Sequence, residues 1–289
     1  MFIRATHLTR YTYSQRVSFA PHALYLRPRE TARQRLHEFN LTLTPEAKLV
    51  ATEDPSGNAV TRAYYPPTTV SDILEIRTEF LVETLDENPF DFLLDATAST
   101  FPFAYTPNER FALAPALTPP APATIPFLKT WLAQHLPAAP RDPIAFLAAL
   151  NTGVQNSLRY NRRDEAGIQP AATTLTLGSG SCRDYAVVLI ELCRHLGVAA
   201  RFVSGYLYEA LPTAGATKPT PALHAWVEVF LPGAGWRGLD PTRGMFCDDA
   251  FIAVAHAALA ETVNPIQGDF YATGSVTAHL HHEITLVKL

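Results

Sequence analysis

The sequence predicts an α+β fold in which an antiparallel β-rich region precedes a core of helices and strands. Apolar and polar residues alternate through much of residues 1–104, whereas apolar residues recur at helical spacing within residues 127–197. A second alternating stretch follows within residues 200–240 and is interrupted by a glycine-containing turn. The length of 289 residues fits two domains, at roughly 150 residues per domain.

Residues 1–104 are predicted to form an antiparallel, sandwich-like β domain. Alternation is clear over His7–Tyr13, Phe39–Leu43 and Leu74–Glu83, and period two is typical of strands with one face in solvent. The glutamates within 75–87 could instead support a helix, but the alternation and the β-branched residues favour a strand.

Residues 105–126 are predicted to be a linker, because the proline content of this stretch disfavours regular structure. Residues 127–289 then form the predicted core domain. A short helix is expected around Phe127–Leu132, and Asp142 followed by Pro143 indicates the start of a second helix. The alternating run Val276–Leu286 predicts a strand near the end of the core.

A glycine-rich loop opening into a helix is predicted at Gly178–Gly197. Ser181 is a suitable N-cap, and Asp184 three residues later completes the pattern of a capping box. Cys182 therefore falls on the first helical turn, where unpaired N–H groups and the helix dipole favour a thiolate over a thiol. Cys182 is the candidate nucleophile.

A hairpin downstream supplies a candidate base. His224–Phe230 and Trp236–Leu239 are predicted strands joined by a turn centred on Pro232. With that centre, His224 and Asp240 lie opposite each other, so the carboxylate can orient one imidazole nitrogen while the other faces the cysteine. Cys182, His224 and Asp240 would then act as nucleophile, base and orienting carboxylate.

Four motifs in this order resemble the transglutaminase-like superfamily. Within about Thr173–Thr242 the chain reads GSGSCRDYA, LGVAARFVSGY, HAWVEV and GWRGLDPT. The resemblance implies a papain-related α+β core with Cys182 as nucleophile, His224 as base and Asp240 as its partner. Val187 departs from the pattern, since bacterial members often carry a histidine there. A weaker similarity to the β-rich region that precedes this core in bacterial members is carried by three short stretches, Tyr11–Tyr13, Leu24–Arg29 and Asp54–Asn58.

Other chemistries fit the sequence less well. Cys182, His224 and Asp240 could bind zinc, but no C-x-x-C or H-E-x-x-H motif accompanies them. His256 with His279, His281 and His282 is another possible zinc cluster, but a three-histidine site on one strand would need a bend. The patterns of a serine hydrolase elbow and of a phosphate-binding loop are incomplete. No cofactor is therefore expected, and the other two cysteines, Cys193 and Cys247, are interpreted as buried packing residues.

Composition limits the partners. A net charge of −4 gives no electrostatic support for nucleic-acid binding. No apolar run reaches membrane-spanning length, and the first residues lack the apolar core of a signal peptide. Three cysteines, an odd number without a disulfide pattern, favour a reducing compartment. We therefore expect a cytoplasmic protein without membrane or nucleic-acid partners; its oligomeric state is left open.

The resulting hypothesis is thiol-dependent acyl transfer on an amide of a peptide or of a glutamine side chain. Hydrolysis is preferred to transamidation, because no calcium-site pattern of carboxylates is present. A non-catalytic interaction module is the remaining alternative. The backbone N–H of Cys182 could stabilise the oxyanion, with Tyr160 or Gln155 as a second donor or as mere packing residues. The poorly patterned segment Ala210–Ala222 would be a cover over the site or a tolerated surface insertion.

Overall fold

The N-terminal region consists of antiparallel strands. The computed structural model describes residues 1–136, 138, 141–163, 167–209 and 222–289. In the strand Val70–Thr84, buried residues alternate with more exposed ones, which confirms a strand rather than a helix for the glutamate-rich stretch. The strands are β1 (Phe2–Phe19), β2 (His22–Leu24), β3 (Gln34–Thr44), β4 (Lys48–Glu53), β5 (Ala59–Tyr64) and β6 (Val70–Thr84).

The described middle of the chain is mainly helical. In chain order, its helices and two short strands are α1 (Pro107–Ala112), α2 (Ile125–His135), α3 (Pro143–Ser157), β7 (Arg159–Tyr160), α4 (Ala171–Leu177), β8 (Ser179–Gly180) and α5 (Cys182–His195). α2 and α3 confirm the two helices predicted after the linker. The Asp142 carboxylate accepts a 2.7 Å hydrogen bond from the Ala145 N–H, as an N-cap does.

The prediction that residues 105–126 lack regular structure is wrong in part. α1 lies inside this stretch, and a short 3₁₀ helix follows it at Ala114–Leu117. Pro107 stands at the first helical position, where its missing N–H costs no hydrogen bond. Thr106 and Glu109 form a capping box around it. A proline at the first position of a helix is therefore compatible with regular structure, even in a stretch as rich in proline as residues 105–126.

The core sheet is antiparallel and packs against α5. Its strands are β9 (Ala200–Leu207), β10 (Ala222–Leu231), β11 (Gly235–Asp240), β12 (Met245–Phe246) and β13 (Phe251–Ala257), in the spatial order β12-β11-β10-β9-β13. Leu189 and Leu192 of α5 share one buried cluster with Val227 and Val229 of β10. Burial of this interface holds α5 in position against β10.

The chain returns to the N-terminal region through β14 (Ile266–Gln267), β15 (Phe270–Tyr271) and β16 (Ala278–Lys288). β16 pairs with β1 from Ile3 opposite Lys288 to Tyr13 opposite Ala278. The predicted strand is therefore present, but it belongs to the N-terminal sheet and not to the core that residues 127–289 were expected to form. Alternation identifies a strand but does not identify the strand it pairs with.

Two antiparallel sheets make up the N-terminal region, as the sandwich-like prediction expects. β1, β3, β6, β15 and β16 form one sheet, and β2, β4, β5 and β14 form the other. Leu24 and Ala63 of the second sheet share a buried cluster with Leu74 and Ile76 of the first. No helix among the described residues has the length and apolar character needed to cross a bilayer.

Candidate active site

Cys182 is the first residue of α5, as predicted. α4 ends at Gly178, whose φ of +62° is the left-handed conformation that glycine adopts readily at a helix C-terminus. The following strand, β8, ends at Gly180, where an added Cβ would lie 2.7 Å from the Cβ of Asp184. Glycine is thus needed at position 180, because the backbone there lies too close to the Asp184 side chain for an added Cβ. It lets the chain turn into α5 just before Cys182.

Asp184 holds the start of α5 in place. Its buried carboxylate accepts hydrogen bonds from the Ser181 N–H at 2.8 Å and the Ser181 hydroxyl at 2.9 Å, which forms the predicted capping box. The Gln169 N–H donates a further bond at 2.8 Å, and the Nε of Arg163 lies 3.4 Å away. These contacts tie the loop before α4 to the first turn of α5, so the backbone around the candidate nucleophile is fixed.

His224 and Asp240 contact each other, but not in the predicted register. Leu231 pairs with Gly235 and Val227 with Leu239, so the turn is centred on Gly233 and Asp240 is offset by two residues from His224. An offset of two keeps both side chains on the same face of the sheet. The His224 Nε2 and the Asp240 Oδ2 are 2.8 Å apart, a diagonal contact that long side chains can make.

Further polar contacts orient Asp240, whose side chain is fully buried. Its Oδ1 accepts hydrogen bonds from the Thr242 N–H at 2.8 Å and the Thr242 hydroxyl at 2.7 Å. The Asn151 amide of α3 donates to the main-chain carbonyls of Asp240 at 3.2 Å and Met245 at 3.1 Å. The roles of Thr242 and Asn151 were not predicted from the sequence. Two sequence features could have indicated these roles. They are the Asp-Pro-Thr turn for Thr242, and for Asn151 the presence of a polar residue inside the apolar stripe of a helix.

The imidazole of His224 lies between the carboxylate and the sulfur. Nε2 is hydrogen-bonded to Asp240, which leaves Nδ1 available to Cys182, and the sulfur lies close enough to affect the charge of the imidazole. Burial disfavours the charged imidazole, but the hydrogen bonds and negative charges of Asp240 and Cys182 outweigh it and raise the pKa of His224 from 6.5 to about 10. At neutral pH the imidazole of His224 is therefore in its charged form.

Tyr160 also reaches the candidate nucleophile. β7 and β8 pair in parallel with Tyr160 beside Gly180, two residues before Cys182, and the Tyr160 hydroxyl lies close enough to Cys182 for the two groups to interact. Burial, followed by the charge of Cys182, raises the pKa of Tyr160, which keeps this hydroxyl protonated as a donor. Gln155, the other candidate donor, packs against Gly244 instead.

A cleft of about 320 Å³ opens beside these groups. Its lining combines the apolar side chains of Leu207 and Leu223 with the polar or charged groups Tyr160, Glu209, His224, Thr242 and Arg243. Residues 210–221 of the segment Ala210–Ala222, which was expected next to the site, lie outside the described residues. The cleft exposes His224 and Tyr160 to a substrate, and Cys182 is itself partly exposed.

The two other cysteines are packing residues, as predicted. Cys193 lies in the core between α5 and the sheet, and Cys247 lies in a smaller cluster with Trp226 and Phe251. Burial raises the pKa of Cys193 to about 12 and that of Cys247 well above its ordinary value. Both thiols are therefore poor nucleophiles at neutral pH.

The histidine-rich end of the chain does not assemble a metal centre in the part of the chain that the structure describes. β16 runs without a break, so His279 and His281 face one side of the strand while His282 faces the other. Among the described residues, no group of three or more histidine, cysteine or carboxylate side chains is placed to hold a metal ion.

Two family models match the chain. Residues 3–83 match the bacterial transglutaminase-like N-terminal region, and residues 131–241 match the transglutaminase-like superfamily. The second match includes Cys182, His224 and Asp240.

Relatives of similar length carry no assigned activity. An uncharacterized protein of Mycobacterium tuberculosis (strain H37Rv) is 27% identical over 93% of this chain and 87% of its own length. A protein-glutamine gamma-glutamyltransferase of Pseudomonas aeruginosa is 34% identical over 122 residues, which are 38% of this chain but 17% of that protein. The crystal structure of a "putative cysteine protease" from Cytophaga hutchinsonii superposes with a TM-score of 0.73 at 18% identity, covering 100% of this chain and 91% of that one. That similarity establishes the fold.

Proposed function

This chain is a member of the transglutaminase-like superfamily, and we propose that it is a thiol-dependent hydrolase of amide bonds with Cys182, His224 and Asp240 as its catalytic residues. The observation that carries the proposal is the position of His224, which is hydrogen-bonded to Asp240 and close enough to Cys182 for the sulfur to affect its charge. That arrangement combines a nucleophile, a proton carrier and an orienting carboxylate. The proposed substrates are peptides or glutamine side chains.

Acylation begins when the Cys182 thiolate attacks the amide carbonyl and a carbon–sulfur bond forms. His224 gives its proton to the amide nitrogen, the carbon–nitrogen bond breaks, and the amine leaves a thioester behind. Water then attacks the thioester and transfers a proton to His224. The carbon–sulfur bond breaks, which releases the acid and restores the thiolate–imidazolium pair.

Two donors are available for the negative charge on the carbonyl oxygen. Cys182 is the first residue of α5, so its backbone N–H has no hydrogen-bond acceptor within the helix. The Tyr160 hydroxyl, already beside the sulfur, is the proposed second donor. Removing one such donor typically reduces kcat by about 10²–10³-fold.

Hydrolysis is favoured over transfer to an amine by the character of the cleft. Arg243 and Glu209 form an ion pair in its lining, and Tyr160 is half-exposed, so water reaches the site. Transfer to an amine requires that water be kept from the acyl-enzyme. The gamma-glutamyltransferase relative, 34% identical over 122 residues, supports transamidation as the second candidate.

The test is incubation of the protein with glutaminyl peptides and a labelled primary amine. Cleaved peptide or released ammonia without label supports hydrolysis, whereas label in the peptide supports transamidation. Cys182→Ala is expected to abolish both products and to leave folding intact. Cys247→Ala, which removes a buried thiol away from the cleft, is the matched control and should retain turnover. Full activity of Cys182→Ala would refute the proposal, as would absence of any product from the wild-type protein.

A further inference from the structure

The cleft beside His224 has a pair of opposite charges in its lining. Arg243 follows the Asp-Pro-Thr turn, Glu209 follows β9, and their side chains form an ion pair across the lining. The two side chains are 39% and 37% exposed. Exposed ion pairs of this kind contribute little net free energy, so a carboxylate from outside can replace Glu209 at small cost.

Arg243 is not required as a hydrogen-bond partner of Asp240. Its Nε lies 3.8 Å from the Asp240 Oδ2, beyond hydrogen-bonding distance. The two oxygens of Asp240 are already engaged, Oδ2 by His224 and Oδ1 by Thr242. The guanidinium of Arg243 is therefore available in the cleft. Its planar set of N–H donors can bind a ligand there.

We propose that Arg243 binds a carboxylate of the substrate, which displaces Glu209 from the ion pair and selects peptides with an acidic group near the scissile amide. This inference rests on the proposed function of the same site. The guanidinium is separated from the nucleophile by little more than Asp240 and the ring of His224. An extended residue spans about 3.3–3.6 Å, so the acidic group falls within one to three residues of the scissile amide. Leu207 and Leu223 offer apolar contacts for the aliphatic part of such a side chain.

Substitutions of the two ion-pair partners, Arg243 and Glu209, are expected to have opposite effects on the binding of an acidic peptide. Glu209 competes with the substrate for Arg243, so Glu209→Gln should strengthen binding of an acidic peptide, whereas Arg243→Gln should weaken it. A merely structural ion pair would give changes in the same direction for both variants. Arg243→Lys keeps the charge but loses the bidentate fork, and an intermediate effect is expected.

Binding is measured with Cys182→Ala as the background, so that no turnover is needed. The probes are acetylated alanine-based peptides with one glutamine and a glutamate one, two or three residues after it, each compared with its counterpart carrying glutamine in place of the glutamate. Calorimetry or fluorescence anisotropy gives the ratio of the two Kd values. We expect a preference of about tenfold for at least one acidic peptide, the size of one charge-assisted hydrogen bond. Arg243→Gln should bring the ratio close to one, and Glu209→Gln should increase it.

Equal binding of acidic and neutral peptides, binding of neither, or a shift in the same direction for the two variants would overturn the assignment of Arg243. Circular dichroism melts of each variant identify loss of folding as a separate effect. Turnover by the wild-type protein is a different readout. Its absence would refute the proposed hydrolase, while the charge preference in the Cys182→Ala background would still decide the role of Arg243.

Discussion

The side-chain amide of Asn151 on α3 donates a 3.2 Å hydrogen bond to the main-chain carbonyl of Asp240, and the same nitrogen bonds to Met245 at 3.1 Å. A fully buried amide thus holds the chain on both sides of the turn that carries Thr242. The carboxylate that orients His224 is positioned by a helix outside the sheet.

We expect Asn151→Ala to destabilise the protein by about 1–3 kcal/mol, because two hydrogen bonds to main-chain carbonyls are lost, each worth roughly 0.5–1.5 kcal/mol. Activity should fall further than stability alone explains, since Asp240 is no longer held against His224. Urea unfolding and kcat on the same samples check this. Thr152→Ala is the control, because its hydroxyl makes a single 3.3 Å bond to Gly244. An Asn151→Ala variant with normal stability and kcat would contradict the assigned role.

The pH dependence should reflect the raised pKa of His224, which is about 10. Its charged form stabilises the folded state, so this contribution is complete below about 6.5 and is lost as the pH rises through about 10. The decline of kcat/KM on the alkaline side should follow the same titration. Asp240→Asn removes a negative charge and should move the titration of His224 toward 6.5. NMR titration of the histidine ring protons measures both values, and an unshifted value in Asp240→Asn would exclude Asp240 as the cause.

Gly180→Ala should impair activity through contact with Asp184. The new Cβ would lie 2.7 Å from the Cβ of Asp184, so the first turn of α5 must shift and Cys182 with it. We expect a loss of about 1–3 kcal/mol in stability and a larger relative loss of kcat. Gly178→Asn is the comparison, because no atom lies within 4 Å of an added Cβ there and asparagine tolerates the left-handed conformation. Equal behaviour of the two variants would argue against a close approach at Gly180.

Alkylation should distinguish the three cysteines. Iodoacetamide at mildly acidic pH should modify Cys182 quickly, since it is partly exposed and paired with His224. Cys193 and Cys247 are buried and should react only after denaturation. Peptide mass mapping of native and denatured samples measures the three rates. A Cys182 that reacts no faster than an ordinary thiol would favour the interaction module over the hydrolase.

The sequence predicts the local features of the site well. Capping of α5 by Ser181 and Asp184 depends on residues three apart, and such short-range chemistry is visible in the chain itself. The pairing of His224 with Asp240 was also predicted, although through a wrong turn centre. A turn at Pro232 and one at Gly233 differ by two positions in register, which preserves the face of the sheet and hence the contact.

Contacts between distant elements could not be predicted in the same way. Nothing near Asn151 in the sequence indicates that its amide reaches a turn 89 residues away. The pairing of β16 with β1 likewise depends on which strand edge is free after the core has formed. The ion pair between Arg243 and Glu209 depends on two loops that meet at one cleft, and loop residues show no periodic pattern in the sequence.

The pairing of β16 with β1 has a consequence for biosynthesis. Ile3 pairs with Lys288, so β1 gains one of its neighbours only after the about 285 residues that separate the two have been synthesised, roughly the full span of both sheets. Joining segments so far apart in sequence carries a large entropic cost of loop closure, and contacts of this range slow folding. We therefore expect the newly made β1 to stay exposed on one edge until β16 has left the ribosome.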